Sequence, residues 1–330
     1  MIITKLKTFY NFNDTMKYFI WCLLGLSMYS TTVHSEGVQL PMYSQYMFNM
    51  ININPAYAGH RGMNSLSALY RNQWMGIKGA PVTTTISWDK RANESNVGYG
   101  AQLYNDQLGA ESTTGVQAFY SYRLPFETTS LTFGLSAGVL NYAIDPSKLE
   151  FGAGGVNSDV AFSSKANGIL PSAGFGVLYS AHSWYVNFSI PSLLGTRPDV
   201  YNPNQIGNKF GQNFHYFLGG GYNFSASEYI DLKPSLLLKS VGAPGSSFQA
   251  DINLTAWFQN TVGIGCSYRT NSSIVGMAEI QISNFIRVGY AYDYSISLLN
   301  KYAGATHEIM LRYEFVTPTR QSNILSPRYY

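Results

Sequence analysis

The sequence predicts an all-β protein, a transmembrane antiparallel β-barrel of about 14 strands, and three observations lead there. Charged residues make up only 12% of the 330-residue chain and aromatic residues 15%, yet mean hydropathy is −0.07. From Met63 onward, apolar and polar residues alternate with a period of two through one segment after another. The connections between those segments are by turns short and long.

Composition comes first. Soluble domains carry roughly 25% charged residues, about twice what this chain has. With 26 Tyr, 19 Phe and 31 Gly at average hydropathy, its apolar surface must lie in alternation rather than in runs. The single long apolar stretch, Tyr18 to Val33, loses its apolar character near Met28, short of the roughly 20 residues a spanning helix needs. Lys17 precedes it, and Val33-His34-Ser35 offers a small residue for cleavage before Glu36. Residues 1–35 therefore read as a secretory signal peptide, with Met16 as an alternative start. Cys22 falls inside that signal, so Cys266 has no intramolecular disulfide partner in the mature chain. The net charge of +3 is dispersed and excludes a nucleic-acid footprint.

The strands follow. In the last of them His307, Ile309, Leu311, Tyr313 and Phe315 face one way, and Glu308, Met310, Arg312 and Glu314 the other. The same pattern places strands near 64–71, 82–88, 97–104, 112–123, 129–141, 170–180, 184–190, 214–224, 230–239, 249–258, 261–270, 273–282, 286–295 and 305–315. Most of these have the roughly 9–11 residues of a tilted spanning strand. Connections 181–183, 225–229, 259–260 and 283–285 are short, whereas 142–169 and 191–213 are long and rich in Gly, Asn, Pro and Ser. That phase places the long loops outside and both termini in the periplasm. Two connections break it: Asp89 to Asn96 is long for a turn, and Asn271-Ser272 is short for an outer loop. A soluble two-sheet sandwich would need far more charge on its outer faces, and it would not explain Tyr crowded at strand ends.

Enzymatic motifs do not survive their context. Gly134-Leu135-Ser136-Ala137-Gly138 matches G-x-S-x-G, but that chemistry needs a strand-to-helix elbow, and here the alternation runs on through Leu140. His60, His182, His215 and His307 have no ligand spacing. Gly152, Gly154 and Gly155 lack the helix a phosphate cradle requires. No catalytic residue, cofactor or metal is expected.

Two segments outside the strands remain. Met42 to Gly59 is aromatic, Asn-rich and nearly uncharged, which suits a plug, a docked lining of the barrel, a partner surface or a strap across the periplasmic mouth. The chain also runs on past its last strand, through Val316 to Tyr330. There Arg328 between Pro327 and the pair Tyr329-Tyr330 suits a carboxylate partner with aromatic packing. The domain division is thus 1–35 signal, 36–62 periplasmic or plug segment, 63–315 barrel and 316–330 periplasmic tail.

An ordered set of motifs spans the mature chain. Ser44-Gln45-Tyr46-Met47-Phe48-Asn49 is followed by Ile53-Asn54-Pro55-Ala56-Tyr57-Ala58-Gly59, then by Tyr70-Arg71-Asn72-Gln73-Trp74 with Gly79-Ala80-Pro81. Later come Gly289-Tyr290-Ala291-Tyr292-Asp293-Tyr294, His307-Glu308-Ile309 and the closing Ser326-Pro327-Arg328-Tyr329-Tyr330. In these the chain resembles the PorP/SprF family of type IX secretion membrane proteins; Met50 stands where the family form has a proline after Phe-Asn. The resemblance implies a non-enzymatic outer-membrane component in contact with lipid, the translocon, periplasmic components and exported cargo bearing a C-terminal secretion signal, including gliding or adhesin cargo. Gln45, Tyr46, Phe48, Asn54, Pro55, Tyr57, Arg71, Asn72, Gln73, Trp74, Pro327, Arg328, Tyr329 and Tyr330 are the candidate partner-binding residues. The competing reading is a porin or fatty-acid-type transporter, since about 14 strands can enclose a lumen.

Overall fold

The computed structural model describes residues 41–92, 95–145, 166–198, 206–210, 214–241, 248–297 and 304–315. Its strands in chain order are β1 (Asn64–Asn72), β2 (Val82–Arg91), β3 (Val97–Leu108), β4 (Glu111–Pro125), β5 (Thr129–Ile144), β6 (Ala166–Ala181), β7 (Trp184–Ile190), β8 (Leu194–Pro198), β9 (Ile206–Phe210), β10 (His215–Tyr222), β11 (Phe224–Ser227), β12 (Ile230–Val241), β13 (Phe248–Phe258), β14 (Val262–Arg269), β15 (Ser273–Gln281), β16 (Ile286–Ser295) and β17 (Thr306–Phe315). Each of β1–β7, β10 and β12–β17 pairs antiparallel with the next, β7 pairing with β10 and β10 with β12. Pairing of β1 with β17, from Asn64↔Phe315 to Asn72↔His307, closes the ring at 14 strands. Closure leaves no open edge among these strands, as a lipid-exposed sheet requires.

Alternation places each side chain. Along β1, Leu66 and Tyr70 are exposed on the outside, while Ser67, Leu69 and Arg71 are buried toward the lumen. Outward Leu135, Val139, Ile264, Ile274 and Leu311 are each about half exposed, and together they form an apolar band of the kind that lipid covers. Trp88, Tyr99, Tyr122, Tyr179 and Tyr313 face outward near the end of the barrel where β17 finishes, the position of an interfacial girdle.

The wall is uneven in height. β5 and β6 pair from Thr129↔Ala181 to Ile144↔Ala166, but β7 and β10 only from Phe217↔Ser189 to Tyr222↔Trp184. β5 and β6 run past the windows their alternation marked, because Tyr142, Ala143 and Ile144 continue the ladder against Gly168, Asn167 and Ala166. The turns are tight where short connections were expected. Gln259 and Asn260 both have positive φ (49° and 53°), as a two-residue type I′ hairpin demands, and Thr261 N–H donates to Phe258 O. β2 persists to Arg91, which shortens the connection that looked too long. The β8–β9 hairpin lies inside a region expected to be all loop. Its five-residue strands, LGTRP and IGNKF, show no apolar alternation, so periodicity gave no sign of them.

The apolar band yields a direct test. Leu135→Arg, in the middle of the outward face of β5, should destabilise the barrel by about 2–4 kcal/mol, and Asn141→Arg, farther up the same face, by under about 1 kcal/mol. Urea titration of the refolded protein in lipid vesicles, followed by the heat-modifiable gel shift, measures both; equal costs would contradict the placement of the band.

Candidate functional site

The segment that precedes β1 lies within the barrel. It folds into three 3-10 turns, Tyr46–Phe48, Met50–Asn52 and Pro55–Tyr57. Asn54 starts the third: its Oδ1 accepts from Ala56 N–H at 2.9 Å, and Pro55 occupies the first position, where no amide donor is needed. Such short turns leave many backbone groups unpaired, and the wall must satisfy them. Ser189 Oγ donates to Ile53 O at 2.7 Å, Ser121 Oγ to Ala58 O at 2.7 Å, and Gly59 N–H to Asp89 Oδ2 at 3.0 Å. Asn49 Nδ2 donates to Ser87 Oγ at 2.8 Å, and Asn253 Nδ2 to Tyr46 Oη at 2.5 Å. These partners come from β7, β4, β2 and β13, so the segment reaches across the lumen.

Apolar packing fills the rest. Lumen-facing Leu69, Leu178 and Leu237 pack into one cluster with Tyr43, Tyr46, Met50, Ile53, Ala56 and Tyr57. Leu178 and Leu237 are completely buried, and burial of each contributes about 1.5–3 kcal/mol. At two places the wall yields room for backbone. A Cβ at Gly134 would overlap the Pro55–Ala56 main chain, and one at Gly98 would overlap Ala58 O.

The upper end of the segment is held by charge. Glu308 accepts Ser44 N–H with Oε2 and Gln45 N–H with Oε1, both at 2.8 Å. Arg71 Nη1 donates to Glu308 Oε2 at 2.8 Å and to Ser44 Oγ at 2.6 Å, and its Nη2 to Asp293 Oδ2 at 2.8 Å. Ser44 Oγ donates to Asp293 Oδ2 at 2.6 Å. Next to this, Asp251 takes Lys239 at 2.7 Å and Arg269 at 3.1 Å, and Arg269 also lies 3.6 Å from Asp293. Three cations balance three carboxylates, all but Lys239 nearly free of solvent, and balance is what allows them to stay buried. Glu308, Asp293 and Arg71 are near the ends of their strands on the long-loop side, whereas Ala58 and Gly59 meet Ser121 and Asp89 near the opposite end. The segment thus descends the lumen, and Ser44 is at the end of the barrel away from Phe315.

The corner between segment and β1 holds His60, buried against Tyr57 with ring centres 5.6 Å apart. Burial, reinforced by Arg123, Arg91 and Arg61, lowers its pKa to about 3, so the imidazole is neutral at physiological pH.

Of the candidate residues, Gln45, Tyr46, Phe48, Asn54, Pro55, Tyr57 and Arg71 are all buried against this chain's own wall. Asn72, Gln73 and Trp74 are half-buried at the long-loop rim; Gln73 N–H donates to Pro81 O, and Trp74, at φ 47°, donates its N–H to Thr306 Oγ1. Pro327, Arg328, Tyr329 and Tyr330 lie outside the described residues. Asp251, Arg269 and Lys239 belong to the cluster and escaped sequence reasoning; their one signal was charge at inward strand positions of a charge-poor chain. Ser136 sits mid-strand in β5, facing the lumen, with no elbow after it.

Removing the Glu308 carboxylate leaves Arg71 and two amides without it, and breaking such a buried pair costs about 3–5 kcal/mol. Glu308→Ala should therefore release the segment, so that trypsin cuts at Arg61 in folded protein while the wild type resists. Equal resistance, read by mass spectrometry of the digests, would show that the segment is not held by this cluster.

No curated protein matches the chain. Among solved structures it is similar to the outer membrane protein Omp33 of Acinetobacter baumannii, at 10% identity over 78% of this chain and 100% of that one, TM-score 0.44. It is similar to the CymD monoaromatic hydrocarbon channel, at 11% identity over 86% and 96%, TM-score 0.48. The translocator domain of the autotransporter NalP from Neisseria meningitidis matches at 13% identity over 82% and 96%, TM-score 0.44. Residues 35–313 match the family model for the type IX secretion system membrane protein PorP/SprF. With the match covering nearly all of the barrel and the segment inside it, the chain belongs to the PorP/SprF family.

Proposed function

We propose that this barrel binds exported cargo or its translocon partners at the outer membrane and aids export or surface attachment, without catalysing a reaction. Its family makes it an outer-membrane component of type IX secretion. The observation that carries the finer reading is the filled lumen: segment 43–60 packs against strands on several sides and is tied by the Arg71–Glu308–Asp293 cluster. A lumen so occupied argues against the porin alternative and turns attention to the barrel's ends. At one end are the end of β5, the β8–β9 hairpin and the rim residues Asn72, Gln73 and Trp74. At the other are the turns after β6 and β13 and Phe315, where β17 ends. Long connections outward would expose the first set to cargo at the surface and leave Pro327–Tyr330 to periplasmic or translocon partners. The buried motif residues then act by seating the segment and shaping the ends, rather than by touching a partner.

Pull-down of the tagged full chain from native outer membranes should recover exported proteins that carry the C-terminal secretion signal. Deleting Ser326–Tyr330 should leave the barrel inserted and heat-modifiable while that recovery falls roughly tenfold, the scale of a lost charge-assisted contact of about 1.5 kcal/mol. Undiminished recovery would remove the tail from the binding surface, and recovery of lipid alone from the full chain would overturn the proposal.

A further inference from the structure

The direction in which the segment runs through the lumen determines where the chain ahead of it emerges. Its last residues meet the wall at the end where β17 finishes. Arg91, the final residue of β2, donates from Nη2 to His60 O at 2.9 Å, and Arg61 lies 3.4 Å from Glu314, the penultimate residue of β17. Its first residues meet the wall at the other end. Tyr43 O accepts from Nη2 of Arg269, the last residue of β14, at 3.5 Å. Ser44 is bonded to Glu308 and Asp293, each the third residue from the long-loop end of its strand. Burial changes in the same direction. Tyr43, Ser44, Gln45 and Tyr46 are buried, whereas Pro41 and Met42, next toward the amino terminus, are half-buried.

A return to the Phe315 end would need a second passage beside the first. The segment already bonds to β2, β4, β6, β7 and β13, and Leu178 and Leu237 are completely buried against it. Irregular backbone at membrane depth persists only where protein satisfies its polar groups. The wall hydroxyls, amides and carboxylates on that route are taken by residues 43–60. From this direction of travel we propose that the chain ahead of Pro41 opens at the long-loop end, so that the mature amino terminus and the end of β17 lie on opposite sides of the outer membrane. With the long connections outward, the amino terminus is at the cell surface. That placement rests on the orientation read under the proposed function, and it departs from the expectation of two periplasmic termini. The segment is then one more crossing of the membrane, inside the 14 of the wall. The amino terminus joins the β8–β9 hairpin and Asn72, Gln73 and Trp74 at the end offered to exported cargo.

The test labels single cysteines in the full chain with a membrane-impermeant maleimide, on intact cells and after the outer membrane is permeabilised. Cys266→Ser supplies the background, since Cys266 is exposed on the wall. Gly37→Cys reports the amino-terminal chain. Met75→Cys, at an exposed position in the loop after β1, reports the long-loop end, and Glu127→Cys, in the exposed turn after β4, reports the opposite end. Heat-modifiability of each variant confirms that it has folded. Gly37→Cys and Met75→Cys should be labelled on intact cells, and Glu127→Cys only after permeabilisation. Labelling of Met75→Cys on intact cells with Gly37→Cys protected, either until permeabilisation or throughout, would overturn the proposal and leave the orientation standing. Glu127→Cys labelled on intact cells, with Met75→Cys and Gly37→Cys both protected until permeabilisation, would instead overturn the outward orientation and the surface placement with it.

Discussion

The Glu308 carboxylate is the point at which strand pairing, lumen chemistry and the chain before β1 meet. An ionised carboxylate with no exposure persists only if its lone pairs are met by donors and its charge by a cation. Arg71 supplies the cation from the neighbouring strand, where it is directly paired with Glu308 in the β1–β17 seam that closes the barrel. Two successive amides, Ser44 and Gln45, supply the remaining donors. Closure of the ring and seating of the segment thus satisfy the same group, and neither is complete without the other.

From that anchor the segment has little freedom. It must cross a lumen lined by Ser, Thr and Asn side chains, and the carbonyls that close its second and third 3-10 turns accept from Ser189 and Ser121. Glycines in β3 and β5 let its main chain approach where a side chain would block it. Apolar residues that would be misplaced in a water-filled pore, Leu69, Leu178 and Leu237 among them, become core residues of an ordinary kind. The interior therefore resembles the packed core of a soluble protein enclosed by a membrane-facing sheet.

This division explains what was legible in the sequence. Lipid on one side and a packed interior on the other impose period-two alternation, so all 14 wall strands could be placed from it. The β8–β9 hairpin, beyond lipid, is under no such demand. The lumen was harder to read, because inward residues include Leu, Met, Ser and Arg alike and follow no period. Ser44, Gln45, Arg71, Asp293 and Glu308 come from four of the motifs and converge within hydrogen-bonding distance. What spacing could not reveal is that they meet one another inside the barrel. Asp251, Arg269 and Lys239 lie outside those motifs, and only the register of β12, β13 and β14 brings them together.

The occupied lumen is the claim on which the functional reading turns, and single-channel recording of the wild-type protein in a planar bilayer tests it most directly. A segment seated as described predicts no large, steady, ohmic conductance at low voltage. A stable open-pore conductance of the size expected from an empty barrel of about 14 strands would contradict it.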